Sequence, residues 1–277
     1  MPITGSRGSV DGKSTVRNWK IARSNELKRL AASNTGGVPM RKPGVFKWTG
    51  SYGAYGLAPQ VLPGQTFAFV GQTPLLGSAP TAAPTYSGAA TVDNVVITLD
   101  WENAEIISHV VNFMGNGRLV ESTGSIVDES DVVCPPTCGA RFRMGASADA
   151  MSDMSDVTKL TLTLSASNKP YTNSSTACAV TVAGGRPDWS LSYDRQETQF
   201  PFAEGSTVVA QIVPAGGADD EGIILSFGII GKQDFEVDIE NDEIVGYSET
   251  VDFTAVDSEG NAGSIIIPGH PNYWTGA

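Results

Sequence analysis

The chain has 277 residues, 40% hydrophobic and 17% charged, with 30 acidic against 18 basic side chains and a formal charge of −12. That apolar fraction supports a sizeable core and excludes wholesale disorder. No apolar run approaches the roughly 20 residues that a membrane-spanning helix needs, and the first residues lack an apolar h-region, so no secretory signal is expected.

The first elements alternate. Thr15 to Arg23 places Trp19 and Ile21 on one side of a predicted strand. The next segment, Ser24 to Leu30, has a capping Ser and apolar residues three apart, which predicts a short helix. Strands are then expected at Thr66 to Val70, Val92 to Leu99 and Ile106 to Phe113. A polar stretch of small residues from Gly145 to Asp156 has no apolar period and divides the chain into two domains, 1–145 and 146–277. Beyond it Leu160, Leu162 and Leu164 alternate with threonines in another strand, while Pro170 favours a loop where the first domain has its predicted helix. Further strands are expected at Thr176 to Val182, Ser206 to Val213, Ile223 to Ile230 and Glu249 to Val256, punctuated by Gly and Pro at the spacing of a sandwich or barrel. The fold class is therefore mainly β.

The second domain repeats the first. A shift of 141 places brings Trp48 onto Trp189, Ser51 onto Ser192, Tyr52 onto Tyr193, Gly44 onto Gly185 and Gly64 onto Gly205 without a gap. Ser33, Thr35 and Thr66 fall on Ser174, Thr176 and Thr207, so residues 33–66 hold eight identities where about two are expected. Farther on, Glu102-Asn103-Ala104-Glu105-Ile106 matches Glu240-Asn241-Asp242-Glu243-Ile244 at a shift of 138. Two tandem, related β modules account for this.

Charge is distributed unevenly. Residues 1–50 carry ten basic and two acidic side chains, the remainder eight and 28. A basic segment is a common nucleic-acid footprint, but this one lacks interleaved stacking aromatics, and the acidic excess elsewhere repels phosphate. A solvated surface explains it, as does a basic face that meets an acidic face of another copy.

Motifs for chemistry are weak. Gly8-Ser9-Val10-Asp11-Gly12-Lys13-Ser14 has three residues between its glycines where a phosphate loop needs four. Cys134 and Cys138 are too few for a zinc site, and with Cys178 they make an odd set that argues against a disulfide framework. The acidic groups Glu102 with Glu105, Asp219-Asp220-Glu221 and Asp238-Glu240-Asp242-Glu243 read as solvated faces, without EF-hand spacing. Gly50-Ser51-Tyr52-Gly53 is no nucleophile elbow. Neither a catalytic residue, a cofactor nor a metal is expected.

The repeated signature is Ser-x-Thr, a Gly-containing turn, Trp-x-x-Ser-Tyr, and a Gly leading the next strand: Ser33 to Thr35, Gly44, Trp48, Ser51, Tyr52 and Gly64, then Ser174 to Thr176, Gly185, Trp189, Ser192, Tyr193 and Gly205. With Val110 to Gly117 as a closing strand and turn, this resembles the tail tube (major tail) proteins of long-tailed, non-contractile bacteriophages. Residues 253–255, Phe-Thr-Ala, depart from that closing turn. The resemblance implies a β-sandwich module with a short helix and a long hairpin arm. It further implies six modules to a ring, hence three chains of two modules, and stacked rings through which genomic DNA passes without specific binding. The partners implied are other copies of the chain and tape-measure, tail-terminator and tail-tip proteins. The location implied is the virion tail, assembled in the host cytoplasm, with no membrane. The alternatives are a capsid decoration or tail-tip protein, and a carbohydrate-binding or carbohydrate-cleaving sandwich using the acidic groups and the five Trp.

Overall fold

The computed structural model describes residues 16–31, 34, 36–72, 82–125, 136–176, 178–196, 200–218, 221–235, 246–254 and 263–274. A long hairpin of β1 (Val16–Leu30) and β2 (Met40–Tyr55) is followed by β3 (Thr66–Gln72), β4 (Ala82–Asp100) and β5 (Ser108–Ser125). Next come β6 (Arg141–Gly145), a 3-10 turn at Ala148–Ala150, β7 (Ser152–Asp153), β8 (Val157–Ala166), and the ribbon of β9 (Lys169–Tyr171) and β10 (Thr181–Ala183). The remaining strands are β11 (Pro187–Arg195), β12 (Thr207–Val213), β13 (Ile223–Phe235), β14 (Tyr247–Phe253), β15 (Ile265–Ile267) and β16 (His270–Trp274). Apart from the β9–β10 ribbon, all of them join one 14-stranded sheet.

Its ladders are antiparallel and run in the order β1-β2-β5-β4-β8-β11-β14-β13-β12-β6-β7, with β3 on β4. One pairing order occurs twice: β1-β2-β5-β4 with β3 beyond, then β8-β11-β14-β13 with β12 beyond. The two sets meet where the second half of β4 pairs with β8, from Asn94 opposite Ser165 to Asp100 opposite Lys159. Alternation along each strand sets the faces. In β8, Leu160, Leu162 and Leu164 are fully buried while Thr161 and Thr163 between them are half-buried on the other side.

The sheet curls over its apolar face. Phe69 on β3 lies 5.8 Å from Trp19 on β1, ring centre to ring centre, although three strands separate them in the sheet order. Phe142 on β6 likewise meets Tyr193 on β11 at 5.2 Å. Trp48, Tyr52, Phe67, Phe69 and Phe113 form an aromatic nucleus under the first set of strands, with centroids 5.1 to 6.3 Å apart in tilted or edge-on contacts. Trp189, 1% exposed, fills the corresponding place under the second set.

Residues 24–30 correct one expectation. They continue β1 instead of forming a helix, pairing from Ser24 opposite Lys47 to Leu30 opposite Met40 across a bulge between Asn25 and Leu27. A seven-residue segment is too short to hold a helix by itself, whereas the returning strand pairs with it along its length and satisfies the backbone groups that face it. Leu27 and Leu30, whose spacing suggested a helical stripe, are exposed on this projecting arm. The second set has no helix among its described residues either. Pro170 lies in β9, where the ribbon edge tolerates its missing N–H, and the expected strand at Thr176 to Val182 shrinks to its last residues in β10. The other expected strands are present. Ile106 to Phe113 begins two residues late, and the end of Glu249 to Val256 lies outside the described residues.

Glycines roof the two tryptophans. A Cβ on Gly115 would sit 2.1 Å from Trp48 Nε1, and one on Gly228 would sit 2.5 Å from Trp189 Cη2. Because Trp48 is itself wedged between Phe69 and Phe113, it has little room to give. Gly115→Ala is expected to lower stability by about 1 to 3 kcal/mol through overpacking, and Trp48→Ala by about 3 to 5 kcal/mol. Denaturant unfolding followed by Trp fluorescence measures both, and a Gly115→Ala chain as stable as the parent refutes this packing.

Candidate functional site

The repeated residues named from sequence occupy matching places. Trp48 and Trp189 are buried on β2 and β11, and Tyr52 and Tyr193 follow them on the same face. Ser51 and Ser192 point to the opposite, more accessible face, opposite Lys20 and Thr161. Gly64 and Gly205 have φ of 83° and 80°, values that glycine adopts without strain, and each starts the same turn. Gly64 N–H donates to Val92 O at 2.8 Å and Gly205 N–H to Ile230 O at 2.9 Å. The reciprocal bonds run from Val92 N–H to Gln65 O and from Ile230 N–H to Ser206 O. These eight residues make no catalytic cluster. In each set of strands the Trp and Tyr anchor the core and the Gly sets a turn, while the Ser faces outward.

The two anchors differ in one polar respect. Trp48 Nε1–H donates to Gly117 O at 3.1 Å, whereas the buried Trp189 Nε1–H has no hydrogen-bond partner among the described residues.

Much of the discounted chemistry lies elsewhere. Gly8 to Ser14, Ser33, Thr35, Cys134, Asp219, Asp220 and Asp238 to Glu243 lie outside the described residues. Cys138 and Cys178 are free and exposed. Glu102 and Glu105 are exposed beside the turn that Asp100 caps, its Oδ1 accepting Asn103 N–H at 2.8 Å. Among the described residues, no three His, Cys, Asp or Glu gather as metal ligands, and no helix is long and apolar enough to cross a membrane.

What remains is a surface. The face of the sheet away from the core is lined by Thr49 and Ser51, Asn94 and Thr98, Asn112, Thr161 and Thr163, Ser190 and Ser192, and Ser248 and Thr250, which alternate with buried apolar neighbours. A shallow groove of about 320 Å³ crosses it beside Lys20, Thr49, Ser51, Asp93 and Asn112. Short hydroxyl and amide side chains are well hydrated, and the cations on this face are Lys20, Lys159 and Lys232 among neighbouring aspartates such as Asp194 and Asp252.

Two strand edges are open. Among the described residues β1 pairs only with β2, leaving its outer edge without a ladder. Within the sheet, Lys232 to Phe235 of β13 likewise pair, among the described residues, with β14 on one side only, since the β12 ladder reaches no farther than Ile229 before the sheet continues to β6 and β7.

Beside that second edge lies a buried polar row. Glu249 on β14 is 1% exposed; its Oε2 accepts Tyr193 O–H at 2.9 Å, while Oε1 has no hydrogen-bond partner among the described residues. Arg195, also buried, holds Asp156 and the Tyr247 hydroxyl. Burial raises the Glu249 carboxyl above its ordinary value, against the Tyr193 hydrogen bond, the Gln233 amide and the Arg195 charge, which lower it. Burial and the Glu249 charge push the Tyr193 hydroxyl well above the usual phenol range, and burial lifts Tyr247 to about 12. Sequence reasoning passed over Glu249. The available signal was a carboxylate at an inward position of an alternating strand, Tyr247-Ser248-Glu249-Thr250-Val251.

No protein-family model matches the chain, and neither does any curated protein.

Glu249 should leave a mark on stability. Its folded value lies above the unfolded carboxylate near 4.5, so within that window the folded chain binds the extra proton and stability falls as pH rises. Glu249→Gln keeps an acceptor for Tyr193 but does not titrate. Its stability relative to the parent is expected to match at low pH and to exceed it increasingly above about pH 5, read from denaturant midpoints between pH 4 and 8. A difference independent of pH refutes the shift.

Proposed function

We propose that this chain is a non-enzymatic virion protein, the repeating subunit of a bacteriophage tail tube, with two tandem modules per chain and three chains per ring. The observation that carries the reading is the pairing order: β1-β2-β5-β4 recurs as β8-β11-β14-β13, and among the described residues the outer edge of β1 and one edge of Lys232 to Phe235 in β13 have no ladder. A surface that offers one edge and accepts the other makes head-to-tail contacts, which close into a ring or run on as a filament. Closure also removes the exposed edges that would otherwise invite indiscriminate pairing.

The dimensions agree with three chains. Each chain contributes eight strands to the continuous row from β1 to β13, so three copies align about 24. At roughly 4.8 Å between strands and a tilt near 40°, such a barrel measures about 48 Å across its backbone, leaving room for a DNA duplex. In this reading the Ser-, Thr- and Asn-rich face lines the lumen, where Asp188, Asp194, Asp234 and Asp252 accompany Lys20, Lys159 and Lys232 and offset their attraction for phosphate. The arm of β1 and β2 beyond the core carries Lys28, Arg29, Arg41 and Lys42 and is a candidate contact to acidic surface on a stacked ring.

Negative-stain electron microscopy of the purified protein at high concentration is expected to show rings or stacked tubes with an open centre. Mass photometry is expected to find a species of three chains. A chain that stays monomeric at every concentration and salt refutes the assignment; binding to capsid shells without tubes favours a decoration protein.

A further inference from the structure

The junction inside the chain is a template for one between chains. Across it, one row of directly opposed residues runs Tyr52–Val111–Val95–Leu164–Trp189 over β2, β5, β4, β8 and β11. All five are buried. At the open edge the same row begins again as Tyr193–Glu249–Gln233 and stops. The strand equivalent to β8 is β1, where the residue opposite Trp48, as Leu164 is opposite Trp189, is Arg23.

We infer that β13 of one copy pairs antiparallel with β1 of the next in this register: Lys232 opposite Ser24, Gln233 opposite Arg23, Asp234 opposite Ala22, and Phe235 opposite Ile21. The inference rests on the edge-to-edge reading above and adds its register and its lock. Directly opposed residues share a face, so Arg23 enters on the core side, two strands from Glu249. That separation is about 10 Å, which an extended Arg and a Glu close between them. The incoming guanidinium supplies a partner for Glu249 Oε1, which has none among the described residues. In the isolated chain Arg23 reaches Glu121 at an exposed position and lies over the Tyr86 ring. Phe235, 48% exposed beside Phe200, gains Ile21 as an apolar neighbour.

The substitution of Arg, Gln and Glu for Leu, Val and Val has a physical reason. The internal row forms once, as the chain folds, whereas the seam must stay open until a partner arrives. An inward-pointing charge on an edge strand discourages pairing with a wrong edge, and a buried carboxylate on the right edge rewards only that cation. A second internal contact does not transfer. Phe46 exchanges backbone bonds with Cys178 and Val180, but the matching positions are Pro187, Gly37 and Pro39, and the prolines lack the N–H.

Disulfide trapping tests the register in a Cys134→Ser, Cys138→Ser, Cys178→Ser background. Asp234→Cys with Ala22→Cys is expected to give covalent ladders between chains on oxidation. Asp234→Cys with Ser24→Cys, a diagonal pair about 7 to 8 Å apart and beyond the usual disulfide reach, is expected to give none. The lock is tested separately by sedimentation. Arg23→Glu and Glu249→Gln should each raise the concentration needed for assembly at least tenfold, while circular dichroism shows both folded. Arg23→Leu with Gln233→Val and Glu249→Val, copying the internal row, should restore it. If tubes form but the diagonal pair cross-links, or if Arg23→Glu assembles like the parent, the seam is wrong and the tube reading stands. If the parent chain never associates, both fall.

Discussion

Everything in this molecule depends on the ladder between β4 and β8. A sheet edge is a row of unsatisfied amide and carbonyl groups, and this ladder uses one edge of the first strands to satisfy one edge of the second. Leu160, Leu162 and Leu164 on β8 and Val95, Ile97 and Leu99 on β4 are all fully buried there. Hydrogen bonding and apolar burial thus coincide at the same residues, and the two sets of strands share one core cluster. Without that ladder each set would expose another long edge, a liability that β proteins normally blunt or cover.

The same constraint explains how residue types are distributed. Inward positions near the internal ladder are aliphatic, because they are never exposed once the chain has folded. Inward positions near the open edges carry Arg23, Gln233 and Glu249, which must tolerate water in an isolated copy. Outward positions carry mostly Ser, Thr and Asn with Lys20, Lys232, Asp194 and Asp252 among them, which suits a hydrated surface. A buried carboxylate with one oxygen unpartnered among the described residues is costly, and in the proposed ring Arg23 of the next copy offsets that cost.

Glycine and tryptophan do complementary work in the core. Trp48 and Trp189 occupy the space that Gly88, Gly115 and Gly228 leave open, so one large ring reaches the backbone of the strands beside it. The turn glycines Gly64 and Gly205 act differently, supplying positive φ where the chain doubles back to start β3 and β12. One residue type thus makes room in the ladder and bends the chain outside it.

Alternation in Leu160 to Leu164 and the recurrence of Trp-x-x-Ser-Tyr were legible without coordinates, since a period of two needs only neighbouring residues and a repeat needs only comparison of the chain with itself. Strand content and most strand positions followed from that. The fate of Ser24 to Leu30 was not legible, because its helical spacing is a local signal and the returning strand at Met40 to Lys47 overrules it. Nor could any linear pattern place Glu249 between Tyr193 and Gln233, or leave one edge of β1 and of the end of β13 without a ladder among the described residues. Those facts arise from ladders between residues tens of positions apart, and only the folded sheet decides which edges it satisfies and which it leaves open.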